Sequence, residues 1–139
     1  MSNSNGWVGI DLDGTLAKYD KWRGPEHIGE PIAPMVEYVK SLIANGIEVK
    51  IVTARAATSR ILEDEDLYNT VITKIRQWCY KHLGKRLDVT AEKDFGMVFL
   101  VDDRVVAVEK NTGEFLTSPP SIASIKWHDD PKNPGNPDE

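Results

Sequence analysis

Residues 7–16 read Trp7-Val8-Gly9-Ile10-Asp11-Leu12-Asp13-Gly14-Thr15-Leu16. The apolar start of this stretch predicts a buried β-strand, and Gly14 predicts the turn that ends it. Side chains alternate along a strand, so Asp11 and Asp13 are expected on the same side, with their Cα atoms roughly 6–7 Å apart. A turn or a cap would account for one aspartate more easily than for both. Two carboxylates beside a glycine that lets a ligand approach the backbone suit a nucleophile and a proton donor at one reacting centre.

Composition sets broad limits: the 139-residue chain has the length of one domain, a hydrophobic fraction of 40% and a formal net charge of −5. This charge balance does not indicate a large basic surface for nucleic acid. No apolar stretch approaches the roughly 18 residues that cross a bilayer, and the N-terminus lacks a signal pattern. The single cysteine, Cys79, excludes an internal disulfide and is predicted to be buried on a helix face. We therefore expect a cytoplasmic protein without a membrane segment.

Strand patterns and helix patterns alternate along the chain. The predicted strands after the first are 47–52, 87–90 and 97–101, and a hairpin is predicted from 105–108 and 114–116. The predicted helices run from Pro34 to the stop at Asn45-Gly46, over 58–67, and over about 70–83. This alternation predicts a single Rossmann-like, three-layer α/β/α domain with a mainly parallel sheet. The domain is expected over 7–117, after a flexible N-terminus at 1–6 and before a Pro-rich, acidic, poorly ordered tail at 118–139.

Polar side chains follow three of the predicted strands. They are Asp11 and Asp13, Thr53, and Asp102 and Asp103. In an open parallel sheet, ligands bind beyond the carboxyl ends of the strands, so these side chains are expected to converge on one crevice. Four carboxylates cannot remain ionised together without a cation, and Mg²⁺ prefers oxygen ligands. The sequence therefore predicts a Mg²⁺ site at this edge of the sheet.

The motifs at these strand ends resemble those of the haloacid dehalogenase (HAD) superfamily of phosphatases and phosphotransferases. The resemblance covers about residues 7–110 and rests on three motifs, at 8–16, 49–53 and 98–103. A further motif of that superfamily is a single lysine upstream of the last of these strands. Lys93 fits this position best, and Lys74 is the alternative.

The resemblance implies a covalent mechanism. Asp11 would attack phosphorus and become an aspartyl-phosphate, while Asp13 would protonate the leaving oxygen and then activate water. Lys93 would offset negative charge on the nucleophile and the phosphoryl group. Dehalogenases of the superfamily lack the second aspartate, because a carbon–halogen bond needs no protonated leaving oxygen. The presence of Asp13 therefore favours phosphoryl transfer, with hydrolysis as the simplest outcome.

The resemblance also implies how phosphate and metal would be bound. The Thr53 hydroxyl would hold a phosphoryl oxygen, with backbone around Ala54 and Gly14 completing the phosphate site. Mg²⁺ would be held by Asp11, the Asp13 carbonyl and Asp102, with Asp103 either binding the ion or supporting its ligands.

Too few residues are present for the helical cap domain that many HAD enzymes place over the site. Only 20 residues separate Asp13 from Pro34, and the residues between Thr53 and Lys93 already supply helices and a strand. A capless, open site often accompanies large substrates in that superfamily, such as phosphoproteins, nucleic-acid ends or carbohydrate chains. Alternatively, a neighbouring subunit of an oligomer would act as the lid.

Cations and aromatic residues in the predicted crevice suggest contacts with substrate. The candidates are Trp22 and Arg23 in the loop after the first motif, Arg55 after the second strand, and Arg104 after the fourth. Aromatic rings next to cations could stack a base and hold a phosphate, which loosely resembles 3′-phosphatases of nucleic-acid ends. A half-buried tryptophan that anchors the loop is the simpler interpretation.

The expected function is thus a Mg²⁺-dependent phosphatase acting on a large or nucleotide-type phosphate monoester. Two alternatives stay open. One is a 3′-phosphatase of nucleic-acid ends, and the other is a non-catalytic module that binds phosphate or metal. The expected partner is a phosphorylated substrate, with nucleic acid and self-association both possible.

Overall fold

The computed structural model describes residues 5–58 and 63–125. It contains four β-strands, β1 Trp7–Asp11, β2 Val49–Val52, β3 Asp88–Thr90 and β4 Met97–Val101. In the described residues there are two α-helices, α1 Ala33–Ala44 and α2 Glu65–Leu83. Short 3-10 turns lie at Ala54–Ala56 and Ile122–Ser124. The strands form one sheet in the order β3-β2-β1-β4, with every neighbouring pair parallel, which confirms the predicted α/β class.

The register of the sheet brings the predicted site residues to one edge. Asp11 at the end of β1 is level with Val52 on β2, and Ile10 is level with Val101 on β4. Because the strands are parallel, the residues that follow them emerge side by side at the carboxyl edge. Thr53 and Asp102 therefore lie beside the end of β1.

The hydrophobic core lies between the sheet and the two helices. Val8 and Ile10 of β1 and Val49 and Ile51 of β2 are buried against the helices. The helix residues in the same cluster are Val36 and Val39 of α1, and Val71, Ile75, Cys79 and Leu83 of α2. Since side chains on a strand alternate between faces, both helices pack against the same face of the sheet. The burial of Cys79 is as predicted, and burial raises the pKa of its thiol to about 12.

Local signals in the sequence set the ends of both helices. Pro34 lies in the first turn of α1, where a missing N–H costs little, and the helix ends at Asn45 as predicted. The carboxylate of Asp64 caps α2 by accepting a hydrogen bond from the Leu67 N–H at 3.0 Å. Gly84 ends α2 with φ of +83°.

Helix α2 begins earlier than the periodicity predicted, at Glu65 rather than near Thr70. The reason is the Asp64 cap together with acidic residues in the first turn, which stabilise a helix N-terminus. A separate helix over 58–67 was predicted. Residues 59–62 lie outside the described residues, and 65–67 belong to α2.

Strand boundaries also differ slightly from prediction. Strand β2 begins at Val49 rather than residue 47, because the Ile47 N–H still bonds the Leu42 carbonyl at the end of α1. Strand β3 begins at Asp88 rather than residue 87, whereas β4 coincides with the predicted 97–101.

The predicted hairpin after β4 forms only in part. Val108 and Phe115 make one isolated bridge, and the Leu116 N–H bonds the Ala107 carbonyl at 2.9 Å. No continuous strand is present in 105–116, so the strand prediction there is wrong although the pairing is right. None of the described strands lies beside this pair, and an isolated two-stranded ribbon is only marginally stable. Of the predicted N-terminal segment and tail, residues 1–4 and 126–139 lie outside the described residues.

Candidate active site

A cavity of about 460 Å³ opens at the carboxyl edge of the sheet. Its lining residues are Asp11, Asp13, Tyr19, Trp22, Val52, Thr53, Ala54, Arg55, Ala91, Asp102, Asp103 and Arg104. They come from the ends of all four strands and from the loop after β1. This volume is within the range of about 300–1,000 Å³ that is usual for sites binding small molecules.

Three carboxylates form the most acidic part of the cavity. One oxygen of each of Asp11, Asp102 and Asp103 lies within 4.8 Å of the others. Burial, a hydrogen bond with Asp103 and the negative charge of Asp102 raise the pKa of Asp11 to about 8. Carboxylate oxygens at this spacing match the donor set that Mg²⁺ prefers, and a cation would relieve their repulsion. These three residues therefore fit a Mg²⁺ ion.

The buried hydroxyl of Thr15 connects two of these carboxylates. It lies 3.1 Å from Oδ2 of Asp11 and 3.2 Å from Oδ1 of Asp103, as a donor to each. It also accepts a hydrogen bond from the Asp103 N–H at 3.0 Å. A hydroxyl has one proton, so it can donate fully to only one carboxylate at a time. Thr15 thus ties the turn after β1 to the residues after β4. This role of Thr15 was not predicted from the sequence. The feature that could have indicated it is the presence of a threonine in the same turn as both aspartates.

Gly14 is required by the closeness of Asp103. Its φ is +88°, and a Cβ at this position would lie 2.6 Å from Oδ2 of Asp103. The Gly14 N–H donates to the Ala17 carbonyl at 2.8 Å, so it is already used inside the turn. The structure therefore gives Gly14 a part in forming the turn, while its predicted part in phosphate binding stays a prediction.

The second aspartate of the motif faces a cation instead of other carboxylates. Both Asp13 oxygens accept hydrogen bonds from Arg55, from Nε at 2.8 Å and from Nη2 at 2.9 Å. Nη1 of Arg55 donates to the Pro25 carbonyl at 2.9 Å, and the guanidinium lies 4.9 Å from the ring centroid of Trp22. The Arg55 side chain is only 5% exposed. Arg55 thus fixes the orientation of Asp13 and joins the loop after β1 to the end of β2.

Thr53 begins the short turn that follows β2. Its side chain is buried, and Oγ1 accepts a hydrogen bond from the Arg55 N–H at 3.2 Å. Its own N–H bonds the Thr90 carbonyl at 2.8 Å, which holds the end of β2 beside the end of β3. The hydroxyl carries a proton that it can donate to an oxygen in the cavity. Ala54, the next residue, also lines the cavity, while its predicted part in phosphate binding stays a prediction.

The loop after β1 supplies one wall of the cavity. Tyr19 and Trp22 line it, and burial followed by the charge of Asp13 raises the pKa of Tyr19. The indole N–H of Trp78 on α2 donates to the Gly29 carbonyl at 3.1 Å and so anchors the far end of the loop. The predicted half-buried tryptophan is Trp22, and Arg55 is the residue that holds it.

Three residues that the sequence suggested for the site, one arginine and two alternative lysines, do not line the cavity. Arg23 pairs with Asp20 at the surface, at 2.7 Å, and does not line the cavity. Lys93 and the alternative Lys74 are both exposed, and neither is among the lining residues. Ala91 lines the cavity instead, two residues before Lys93. The predicted lysine motif, at Lys93 or Lys74, therefore stays a prediction.

No protein-family model, no curated protein and no solved structure matches this chain. In the ranges 5–58 and 63–125, neither α1 nor α2 is long and apolar enough to cross a membrane.

Proposed function

We propose that this chain is a Mg²⁺-dependent phosphatase that hydrolyses a phosphate monoester through an aspartyl-phosphate. The proposal includes a HAD-like, capless fold, in keeping with the resemblance of its motifs. The predicted three-layer arrangement would need helices on both faces, whereas the two described helices pack on one face of the sheet. The observation that carries it is the three-carboxylate cluster beside a second, separately held aspartate and a buried threonine hydroxyl. A carboxylate cluster, a further carboxylate and a hydroxyl thus line one cavity, and these are the groups that the proposed mechanism requires.

Asp11, Asp102 and Asp103 would hold the Mg²⁺ ion. The ion supplies positive charge that stabilises the phosphoryl oxygens and keeps the Asp11 carboxylate ionised. Its absence would leave Asp11 with a pKa of about 8, and a protonated carboxyl is a poor nucleophile. Thr15 orients Asp11 by its 3.1 Å hydrogen bond to Oδ2.

Asp11 then attacks phosphorus through a carboxylate oxygen. The bond between phosphorus and the ester oxygen breaks, and the leaving oxygen takes a proton from Asp13. In the second half of the reaction, Asp13 removes a proton from water as the water oxygen attacks phosphorus. Inorganic phosphate leaves and the Asp11 carboxylate is restored. The Thr53 hydroxyl donates to a phosphoryl oxygen in both halves.

The pairing of Asp13 with Arg55 sets a condition on this mechanism. Both oxygens of Asp13 accept hydrogen bonds from Arg55, so a proton can pass through Asp13 only when one of these bonds opens. The same observation favours the alternative function, a module that binds phosphate or metal without turnover. A measurement of turnover separates the two functions.

The size and lining of the cavity favour a substrate that carries a planar group of nucleotide size next to its phosphate. Its volume of about 460 Å³ suits a nucleotide-sized ligand, and Tyr19 and Trp22 provide aromatic surface beside Arg104. The same residues would accept the terminal nucleotide of a longer strand, because the site has no cap in this proposal.

The test is phosphate release from a panel of phosphate monoesters, measured with Mg²⁺ and with a chelator. The panel contains nucleotides, 3′- and 5′-phosphorylated oligonucleotides, phosphopeptides and sugar phosphates. We expect release that requires Mg²⁺ and disappears in Asp11→Asn, while Asp88→Asn, an exposed aspartate outside the cavity, keeps it. Unchanged release by Asp11→Asn would refute the nucleophile, and no release from any compound would favour the binding module.

A further inference from the structure

The outer edge of β4 is open and wholly apolar. In the described residues, β4 pairs with β1 on one side and with no strand on the other. Its sequence Met97-Val98-Phe99-Leu100-Val101 contains no charge and no proline, the usual devices that prevent edge strands from pairing. Val98 is 65% exposed and Phe99 is 44% exposed. An edge of this kind is a ready template for pairing with another strand.

The helices do not cover this side of the sheet. Phe99 is level with Val8, so it belongs to the face on which α1 and α2 pack. Val8 is buried there, whereas Phe99 is half exposed. The helices contact β2 and β3, at the opposite side of the sheet from β4.

Exposed apolar side chains continue from β4 into the segment after it. Among described residues, nine of the thirteen exposed large hydrophobic residues lie within 95–122. They are Phe95, Val98, Phe99, Val105, Val106, Val108, Phe115, Leu116 and Ile122. At about 150–200 Å² for such a residue fully exposed, they present roughly 1,000 Å² of surface. A stable interface buries about 800 Å² on each partner, so the summed apolar surface of this region is sufficient for one.

The chemistry of this edge favours a second copy of the same chain as its partner. Residues 126–139 contain only one large apolar side chain, Trp127, among charged residues and prolines, which is too little to cover nine. An uncharged strand meets no like-charge repulsion when it pairs with itself. Antiparallel pairing about a two-fold axis also matches the N–H and C=O groups of one edge with those of its copy.

We propose that two copies of this chain associate through β4, antiparallel, to form a continuous eight-stranded sheet. The two-fold axis passes near Phe99, the middle residue of the strand. The exposed residues of 105–122 extend the contact on both sides of the junction. The proposal is independent of the phosphatase function, since it uses none of the residues that line the cavity.

Sedimentation of the full chain tests this association directly. We expect a species of twice the 15.6 kDa chain mass that dissociates on dilution. Val98→Lys, at the exposed edge, should weaken the dimer about tenfold or more. Tyr80→Lys is the matched control, because Tyr80 is 55% exposed on α2 and outside the proposed contact. A monomer at high micromolar concentration, or a dimer equally strong in Val98→Lys, would overturn the proposal.

A disulfide between the same residue of two copies would locate the two-fold axis, and it can be detected while the dimer stays intact. Equivalent residues at the axis of an antiparallel pair have Cα atoms about 4.5–5.5 Å apart, within the reach of a disulfide. Phe99→Cys should therefore cross-link under mild oxidation, while the buried native Cys79 does not interfere. Tyr80→Cys should stay uncross-linked. A wild-type dimer whose Phe99→Cys variant forms no cross-link would overturn pairing through β4.

Discussion

Asp11 and Asp13 are two residues apart in one turn, yet their surroundings are opposite. Asp11 lies among Asp102, Asp103 and the Thr15 hydroxyl, with burial and like charges raising its pKa to about 8. Asp13 lies against a buried guanidinium that bonds both of its oxygens. Asp13 is thus neutralised by a cation of the chain itself, whereas the carboxylates around Asp11 carry like charge that raises its pKa. Under the proposed function, a cation from solution would relieve this repulsion.

The largest expected effect comes from Asp11→Asn. It removes the nucleophile, so phosphate release should fall by at least about 10³-fold. The same change removes a like charge from the cluster and should stabilise the metal-free protein by about 1–3 kcal/mol at pH 8. Phosphate release and melting temperature would be measured on the same preparation, and we expect the first to fall and the second to rise. A variant that is both inactive and less stable would contradict the repulsion assigned to the cluster.

Arg55→Met tests the other half of the comparison. It leaves Asp13 without its partner in a largely buried position, which should destabilise the fold by about 2–4 kcal/mol in denaturant unfolding. Arg55→Lys keeps the positive charge but cannot make the bidentate contact with Asp13, so it should be more stable than Arg55→Met and less stable than the wild type. The control is Arg23→Met, because the Arg23–Asp20 pair is exposed and should leave the melting temperature unchanged. Equal effects of Arg55→Met and Arg23→Met would rule out a special role for the Asp13 contact.

The pH dependence of stability tests the surroundings of Asp11 without any substitution at Arg55. The native state holds the Asp11 proton more tightly than the unfolded chain, since the pKa rises from 3.8 to about 8 on folding. Between these values, the free energy of unfolding of the metal-free protein should therefore fall as pH rises. Asp11→Asn should flatten this part of the profile, and saturating Mg²⁺ should reduce the fall. If the free energy of unfolding of the wild type rises across pH 5–8, and does so equally in Asp11→Asn, the raised pKa assigned to Asp11 is contradicted.

A smaller effect is expected from Thr15→Val. The change keeps the shape but removes the hydroxyl that contacts both Asp11 and Asp103, at a cost of about 1–2 kcal/mol. Thr15→Ser keeps the hydroxyl and should lose less. Both variants would be compared by thermal unfolding without metal and then by their affinity for Mg²⁺. Thr15→Val with unchanged stability and unchanged Mg²⁺ affinity would show that the hydroxyl does not organise the cluster.

Much of the fold was predictable because short-range signals agreed with the tertiary structure. Strand β4 is an uninterrupted apolar run that ends at two aspartates, and its predicted and observed bounds coincide. The stop of α1 at Asn45-Gly46 and that of α2 at Gly84 were likewise local signals. The start of α2 was misplaced because the cap at Asp64 outweighed the weaker apolar periodicity of its first turn.

The candidate site was predictable only in part. Placing Asp11, Thr53 and Asp102 at one edge needs nothing more than the rule for parallel strands. The pairing of Asp13 with Arg55 joins residues 42 apart and depends on a side-chain direction that no pattern in the sequence encodes. The position of Lys93 relative to the cavity depends in the same way on the loop between β3 and β4.

The most direct test of the central claim is calorimetric titration of Mg²⁺ into the metal-free protein at pH 7, in two buffers of different ionisation enthalpy. The Asp11 carboxyl is protonated at this pH when no metal is bound, so binding should release about one proton per ion. Asp11→Asn should release none, while Asp88→Asn should behave as the wild type. Absence of binding, or binding of equal affinity in Asp11→Asn, would contradict a Mg²⁺ site at the Asp11 cluster, and binding with no proton release would contradict the raised pKa of Asp11.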